Sequence, residues 1–204
     1  MNHKMGYIII IIGLVLVIAG IMVVRKPQKN ATATTSRQTP TINNKPQTNH
    51  DNKVKGDAFE KYVVQHFSRK YFRLQEWRSD KYVDGIYAVS NHFPDLEVVF
   101  DFKAKSIKQA FAIECKWRKN FYNNDIEWAK DYQVKNYQDY ATKLNIPVFV
   151  VIGLGGTPDK PQELFIVPLA KMNSSTITKT ELTHYKKENL ETAFFWDYEK
   201  NVLQ

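Results

Sequence analysis

The stretch that most constrains this chain is Ala110-Phe111-Ala112-Ile113-Glu114-Cys115-Lys116-Trp117-Arg118. Its mix of aromatic, branched and small residues predicts a buried strand, and strand side chains point alternately to opposite faces. Phe111, Ile113, Cys115 and Trp117 then share one face, while Ala112, Glu114 and Lys116 share the other. A carboxylate and an ammonium two residues apart on a small-residue face are out of place in a core, because buried charges are rare without a partner or a purpose. Such a pair suits a metal ion and a nucleophile, provided another segment delivers a second carboxylate.

Hydropathy divides the chain into parts. Residues 1–6 form a short flank, followed by an unbroken apolar run of 18 residues from Tyr7 to Val24. At about 1.5 Å per residue that run nearly crosses a hydrocarbon core of roughly 30 Å, so a retained transmembrane helix over 7–24 is expected. No small-x-small cleavage pattern ends it, which argues against a signal peptide. Arg25, Lys26 and Lys29 outnumber Lys4 across the run, which favours a single-pass protein with its C-terminal domain in the cytoplasm. Residues 25–53 are rich in Thr, Asn, Gln, Lys and Pro, with no periodicity. They read as a disordered basic tether whose ends lie on the order of 30 Å apart.

The formal charge of +8 invites a nucleic-acid reading, but its distribution weakens it. Residues 1–53 hold seven of the 29 Lys and Arg and one of the 21 acids, leaving 22 bases and 20 acids for residues 54–204. The basicity belongs to the tether, so overall charge is poor support for duplex binding by the domain. The lone Cys115 excludes an intrachain disulfide and fits a reducing compartment.

From residue 54 the pattern is that of a folded domain. Phe59, Val63 and Phe67 recur at helical spacing and predict a helix over 57–70, with Asp57 and Glu60 as a capping box at its start. Residues 71–78 alternate as a strand, and turn signals follow at Asp84-Gly85 and Ser90-Asn91. Residues 95–102 and the 110–118 strand read as a β-hairpin around a Lys-rich turn at 104–108. A helix over 125–144 carries Ala129, Gln133, Tyr137, Tyr140 and Leu144 on one stripe, with Tyr132, Tyr137 and Tyr140 expected in the core. The apolar run at 146–152 reads as a strand buried on both faces, followed by a loop over 153–161 and a strand over 163–169. A short helix near 181–187 and the Phe194-Phe195-Trp196 segment belong to a C-terminal extension, 171–204, packed on a domain over 54–170. This order predicts an α/β sandwich with a mixed central sheet flanked by helices. Gly153-Leu154-Gly155-Gly156 lacks the Gly-Lys-Ser/Thr ending of a phosphate-binding loop. His66 and His92 have no metal-like partners at useful spacing and are read as structural or surface residues.

With the hairpin turn centred near residue 105, antiparallel pairing puts Asp95 opposite residues 115–117 and Asp101 near 110. Register decides the outcome, since a one-residue slip moves Asp95 to the other face. Two carboxylates a few ångströms apart repel unless a cation lies between them, and hard oxygen donors suit Mg²⁺.

These residues resemble a known superfamily. Pro94-Asp95, with Glu114-Cys115-Lys116 following at an interval of 18 residues, is similar to the PD-(D/E)xK motif of restriction-endonuclease-like nucleases. The preceding helix with Glu60 and the following helix with Gln133 and Tyr137 extend the resemblance to the Mrr-type and Holliday-junction-resolvase branches. The resemblance covers element order over roughly residues 55–170. It implies that Asp95, Glu114 and the Cys115 carbonyl bind Mg²⁺ (or Mn²⁺), and that Lys116 orients the attacking water or stabilises developing charge. It also implies that Glu60 helps hold a second metal or a bridging water, and that Gln133 contacts substrate or supports Lys116. Lys103, Lys105, Lys108, Arg118 and Lys119 would then hold substrate phosphates. The expectation is a membrane-anchored endonuclease acting on DNA, a homodimer if it follows the junction-cutting relatives. Two rivals stand beside it. One is a non-catalytic nucleic-acid- or protein-binding module of the same fold; the other is an assembly factor whose interaction surface is the aromatic stretch 185–196.

Overall fold

Five strands make the central sheet, in the order β1 (Phe72–Trp77), β4 (Leu96–Phe102), β5 (Ile107–Arg118), β7 (Val148–Leu154) and β8 (Glu163–Pro168). The computed structural model describes residues 47–78, 82–83, 86–87 and 92–204, with side chains over 50–78 and 92–204. The expected membrane segment at 7–24 and most of the expected tether lie outside those residues. Among the described residues no helix is long and apolar enough to cross a membrane.

β1 pairs antiparallel with β4, β4 antiparallel with β5, β5 parallel with β7, and β7 antiparallel with β8. The sheet is therefore mixed, as expected. The parallel step requires a crossover, and residues 119–147 supply it: β6 (Asp125–Glu127), then α2 (Asp131–Leu144). Two short strands, β2 (Tyr82–Val83) and β3 (Ile86–Tyr87), form a separate hairpin, and β6 pairs with β9 (Thr176–Thr178).

Each sheet face carries its own core. On one face Phe111, Ile113 and Cys115 of β5 pack with Phe59 and Val63 of α1 (Gln47–Gln65) and with Phe194, Trp196 and Leu203 from the C-terminus. On the other, Ala112 and the inward residues of β7 pack with Trp128, Val134, Tyr137 and Tyr140. β7 is buried along its whole length, as a strand covered on both faces must be.

Several boundaries differ from expectation. α1 begins at Gln47, ten residues early, so residues 47–53 are helical and not tether. Asp57 consequently lies inside the helix, where it pairs with Lys53 at 3.0 Å, and the Asp57–Glu60 capping box does not form. The second helix starts at Asp131, because residues 125–127 are drawn off to pair with β9, a long-range contact invisible to local periodicity. α3 (Lys179–Thr183) is shorter and earlier than expected. Gly153 and Leu154 belong to β7, and Gly155 and Gly156 adopt positive φ in the turn that follows. Tyr132 is 63% exposed, while Tyr137 and Tyr140 are core residues. Within the stretch 185–196, Phe194 and Trp196 are core residues, with Trp196 stacked on Phe111 at 5.0 Å, while Phe195 is 53% exposed.

Candidate active site

The hairpin register is set by its turn. Residues 103–105 form a 3₁₀ turn, and Ser106 closes it in the left-handed conformation, so Phe102 pairs with Ile107. The register then runs Asp101 to Lys108, Glu97 to Ala112 and Leu96 to Ile113. One step further, Asp95 stands opposite Glu114 and not opposite 115–117. That corrects the expected register, and it puts Asp95 on the face of Glu114 and Lys116, since cross-strand partners share a face.

β4 stops at Leu96, whereas β5 runs on to Arg118, paired there only with β7. Ala112 donates its amide to the Pro147 carbonyl on the β7 side. Backbone polar groups alternate sides along a strand, so the amide and carbonyl of Cys115 point toward the end of β4. The amide meets no strand carbonyl there; it donates instead to Asp95 Oδ2 at 2.8 Å. The Asp95 side chain thus substitutes for the missing strand residue, and the Cys115 carbonyl faces the same gap.

Glu114 is 1% exposed on the α2 face of the sheet, beside the buried Val150 and Ile152. Its Oε1 accepts from Lys116 Nζ at 2.5 Å, while its Oε2 is buried without a hydrogen-bond partner. Such an acceptor is costly unless something cationic completes it. Lys116 retains 22% side-chain exposure, so its ammonium reaches solvent from a buried base. Burial works against its charge, but the Glu114 and Asp95 carboxylates outweigh it and hold the Lys116 pKa above the ordinary lysine value. The Asp95 pKa moves in the same direction, which for a carboxyl favours the neutral form. Burial first, and then the Glu114 charge, raise its carboxyl well above the usual range, against the pull of Lys116 and the Cys115 amide. Burial, with the same carboxylates around it, also raises the Cys115 thiol. That sulfur is no nucleophile.

The donor set fits a hard divalent cation in part. Asp95, the unpartnered Glu114 Oε2 and the Cys115 carbonyl are oxygen donors at one strand end, as Mg²⁺ or Mn²⁺ requires. Among the described residues no three His, Cys, Asp or Glu side chains converge into a ready-made metal cluster. The remaining positions would fall to water and substrate, which is usual for Mg²⁺.

The other expected site residues are distributed unevenly. Glu60, 8% exposed on α1, contributes negative charge at Asp95 and Cys115. Its Oε2 accepts the Trp77 indole N–H at 2.7 Å. Gln133 caps α2: its Oε1 accepts the Lys130 amide at 2.9 Å and its Nε2 faces the Tyr137 hydroxyl at 3.5 Å. It is not bonded to Lys116, because the later helix start leaves Gln133 in the first turn, where backbone amides need partners. Arg118 borders the site, with Nε donating to the Glu127 carbonyl at 2.9 Å and burial lowering its pKa. Lys119 follows it, exposed.

Lys103, Lys105 and Lys108 are elsewhere. They lie at the turn end of the hairpin, on the order of 30 Å along β5 from Lys116. Lys105 there donates to the Tyr198 hydroxyl at 2.5 Å. A Lys-rich turn and a motif adjacent in sequence sit at opposite ends of a strand, so these lysines cannot hold the phosphate at the motif. His66 bonds the Tyr62 and Leu190 carbonyls, a structural role, and His92 is a surface residue paired with Asn136, as expected.

Two neighbours of the site carry no sequence signal of their own. Trp77 holds Glu60, and Arg78 contacts the segment bearing Asp95. Both follow from the pairing of β1 with β4.

No protein-family model matches the chain, and no curated protein matches it. Among solved structures, it is similar to a Holliday junction resolvase from Archaeoglobus fulgidus, with 15% identity over 63% of this chain and 93% of that one, and a TM-score of 0.43. A likeness at that level assigns no activity to this chain.

Proposed function

We propose that this protein is a divalent-metal-dependent nuclease that hydrolyses phosphodiester bonds in DNA, within a restriction-endonuclease-like fold. One observation carries the reading. Where β4 ends, Asp95 takes the amide of Cys115 and stands opposite Glu114, whose other neighbour is Lys116. Two carboxylates, a free acceptor oxygen and a charged lysine at one open strand end suit phosphodiester hydrolysis. Asp95, Glu114 and the Cys115 carbonyl would hold Mg²⁺ or Mn²⁺. When bound, the cation supplies charge neutralisation at the scissile phosphate and a more acidic water. Lys116, kept charged, orients that water or offsets charge developing on the phosphate oxygens. Glu60 adds negative charge behind Asp95, and Arg118 and Lys119 provide cations at the rim. The apolar run at 7–24 would anchor the domain to a membrane, a proposal checked by fractionation of cell membranes after carbonate washing. A dimer is proposed on the resemblance of Pro94-Asp95 and Glu114-Cys115-Lys116 to the motif of junction-cutting nucleases, and is checked by light scattering.

The experiment compares DNA cleavage by the full chain with Mg²⁺ against Glu114→Ala and Lys116→Ala. Both variants are expected to lose roughly 100-fold or more of the activity, the scale of removing a metal ligand or a charge-stabilising group. Equal cleavage by all three would sink the assignment.

The near-neutral charge of residues 54–204 favours a second reading, a non-catalytic binding module, because duplex binding leans on several Lys/Arg–phosphate contacts. That module would take up no metal. Calorimetric Mn²⁺ uptake that disappears in Asp95→Ala excludes it.

A further inference from the structure

Asp95 precedes β4, and among the described residues Arg78 restrains the backbone on both sides of it. Arg78, the residue after β1, donates its backbone amide to the Asp95 carbonyl at 2.7 Å. Its guanidinium donates through Nη1 to the Pro94 carbonyl at 3.2 Å and through Nη2 to Glu97 Oε2 at 2.7 Å. The same guanidinium lies 5.8 Å from the ring centres of both Phe93 and Tyr140. The two rings are themselves in contact at 5.5 Å, which ties the segment to α2. Arg78 therefore engages Phe93, Pro94, Asp95 and Glu97, the residues on either side of the carboxylate and the carboxylate's own backbone.

We infer that Arg78 is a positioning residue: it fixes the Pro94-Asp95 segment so that the Asp95 carboxylate meets the end of β5. The planar fork is what the role needs. One group must serve a carbonyl and a carboxylate at once while lying against two rings, which a lysine ammonium cannot reproduce. The inference rests on the proposed nuclease reading only in what Asp95 is held for. The holding itself is a property of the fold.

The Cys115 amide reports directly on the Asp95 carboxylate and requires neither metal nor substrate. In Arg78→Lys, hydrogen exchange at Cys115 is expected to accelerate on the order of tenfold, the net worth of about one hydrogen bond. Exchange at Ala112, which bonds to Pro147, should stay unchanged. Arg73→Lys, on an exposed arginine within β1, serves as the control. Glu97→Gln, which weakens the hold on the guanidinium without touching Arg78, should shift Cys115 exchange in the same direction by less, and decides the matter if Arg78→Lys does not fold. Mn²⁺ affinity measured by calorimetry should fall roughly tenfold in Arg78→Lys, as for a residue supporting a metal ligand. Wild-type exchange at Cys115 in a folded Arg78→Lys, or in Glu97→Gln should the first variant not fold, overturns the inference. If the wild-type protein takes up no Mn²⁺ and cuts no DNA, the nuclease reading fails, and Cys115 exchange still decides whether Arg78 positions Asp95.

Discussion

Asp95 and Glu114 set the energetics of the site. Two carboxylates and one ammonium crowd a strand end that also leaves Glu114 Oε2 without a partner. Because burial and then Glu114 raise the Asp95 carboxyl, the folded protein holds that proton more tightly than the unfolded chain does. The sign follows from linkage: stability contributed by the protonated form is complete below the unfolded value and is lost as pH rises through the folded one. Metal-free Asp95→Asn should therefore melt higher than wild type at neutral pH, by on the order of a few degrees. The advantage should shrink toward acid, as thermal melts from about pH 4 to about pH 8 would show. Added Mn²⁺ should raise the melting temperature of the wild type and leave that of the variant unmoved.

The packing of elements decides how closely α1 approaches the sheet. A Cβ at Gly153 would fall 2.3 Å from the Phe59 ring, so the aromatic side chain of α1 rests directly on the β7 backbone. Glu60 is the next residue, and its place beside Asp95 depends on that approach. Gly153→Ala should push the ring away and destabilise the protein by about 1–3 kcal/mol, the usual range for overpacking a core. Phe59→Leu on that background should recover part of the loss. Denaturant titrations of the single and double variants measure both. Periodicity showed that α1 and β7 exist, but it held no sign that Gly153 is a contact point.

At the scale of the whole molecule, the described residues belong to one compact unit, and the C-terminal residues complete its core. Phe194, Trp196 and Leu203 cover Phe111 and Phe149 on the α1 face, and β10 (Trp196–Asp197) pairs with β11 (Val202–Leu203) to hold them there. Trp196, 0% exposed, should cost about 3–5 kcal/mol when replaced by Ala. Removal of residues 190–204 should abolish cooperative unfolding, read by circular dichroism during thermal melts. In sequence the aromatic stretch reads as part of an extension packed on the domain, with an interaction surface as the rival, because it has neither a long helix nor an alternating strand around it to show which residues point inward. Phe194 and Trp196 are buried because they cover part of the sheet face on which α1 packs.

The sequence by itself determined the β5 alternation that puts Glu114 and Lys116 on one face, the wholly apolar β7, and the order of elements that yields a mixed sheet. Each depends on spacing within one element, which the backbone geometry fixes. Tertiary structure alone decided the rest. A four-residue turn placed Asp95 opposite Glu114, and the early end of β4 turned its carboxylate toward the Cys115 amide. The pairing of β1 with β4 brought Arg78 and Trp77 to the site, while the length of β5 carried Lys103 and Lys105 away from it. Those outcomes depend on register and on contacts between residues distant in the chain, where one step changes which groups meet.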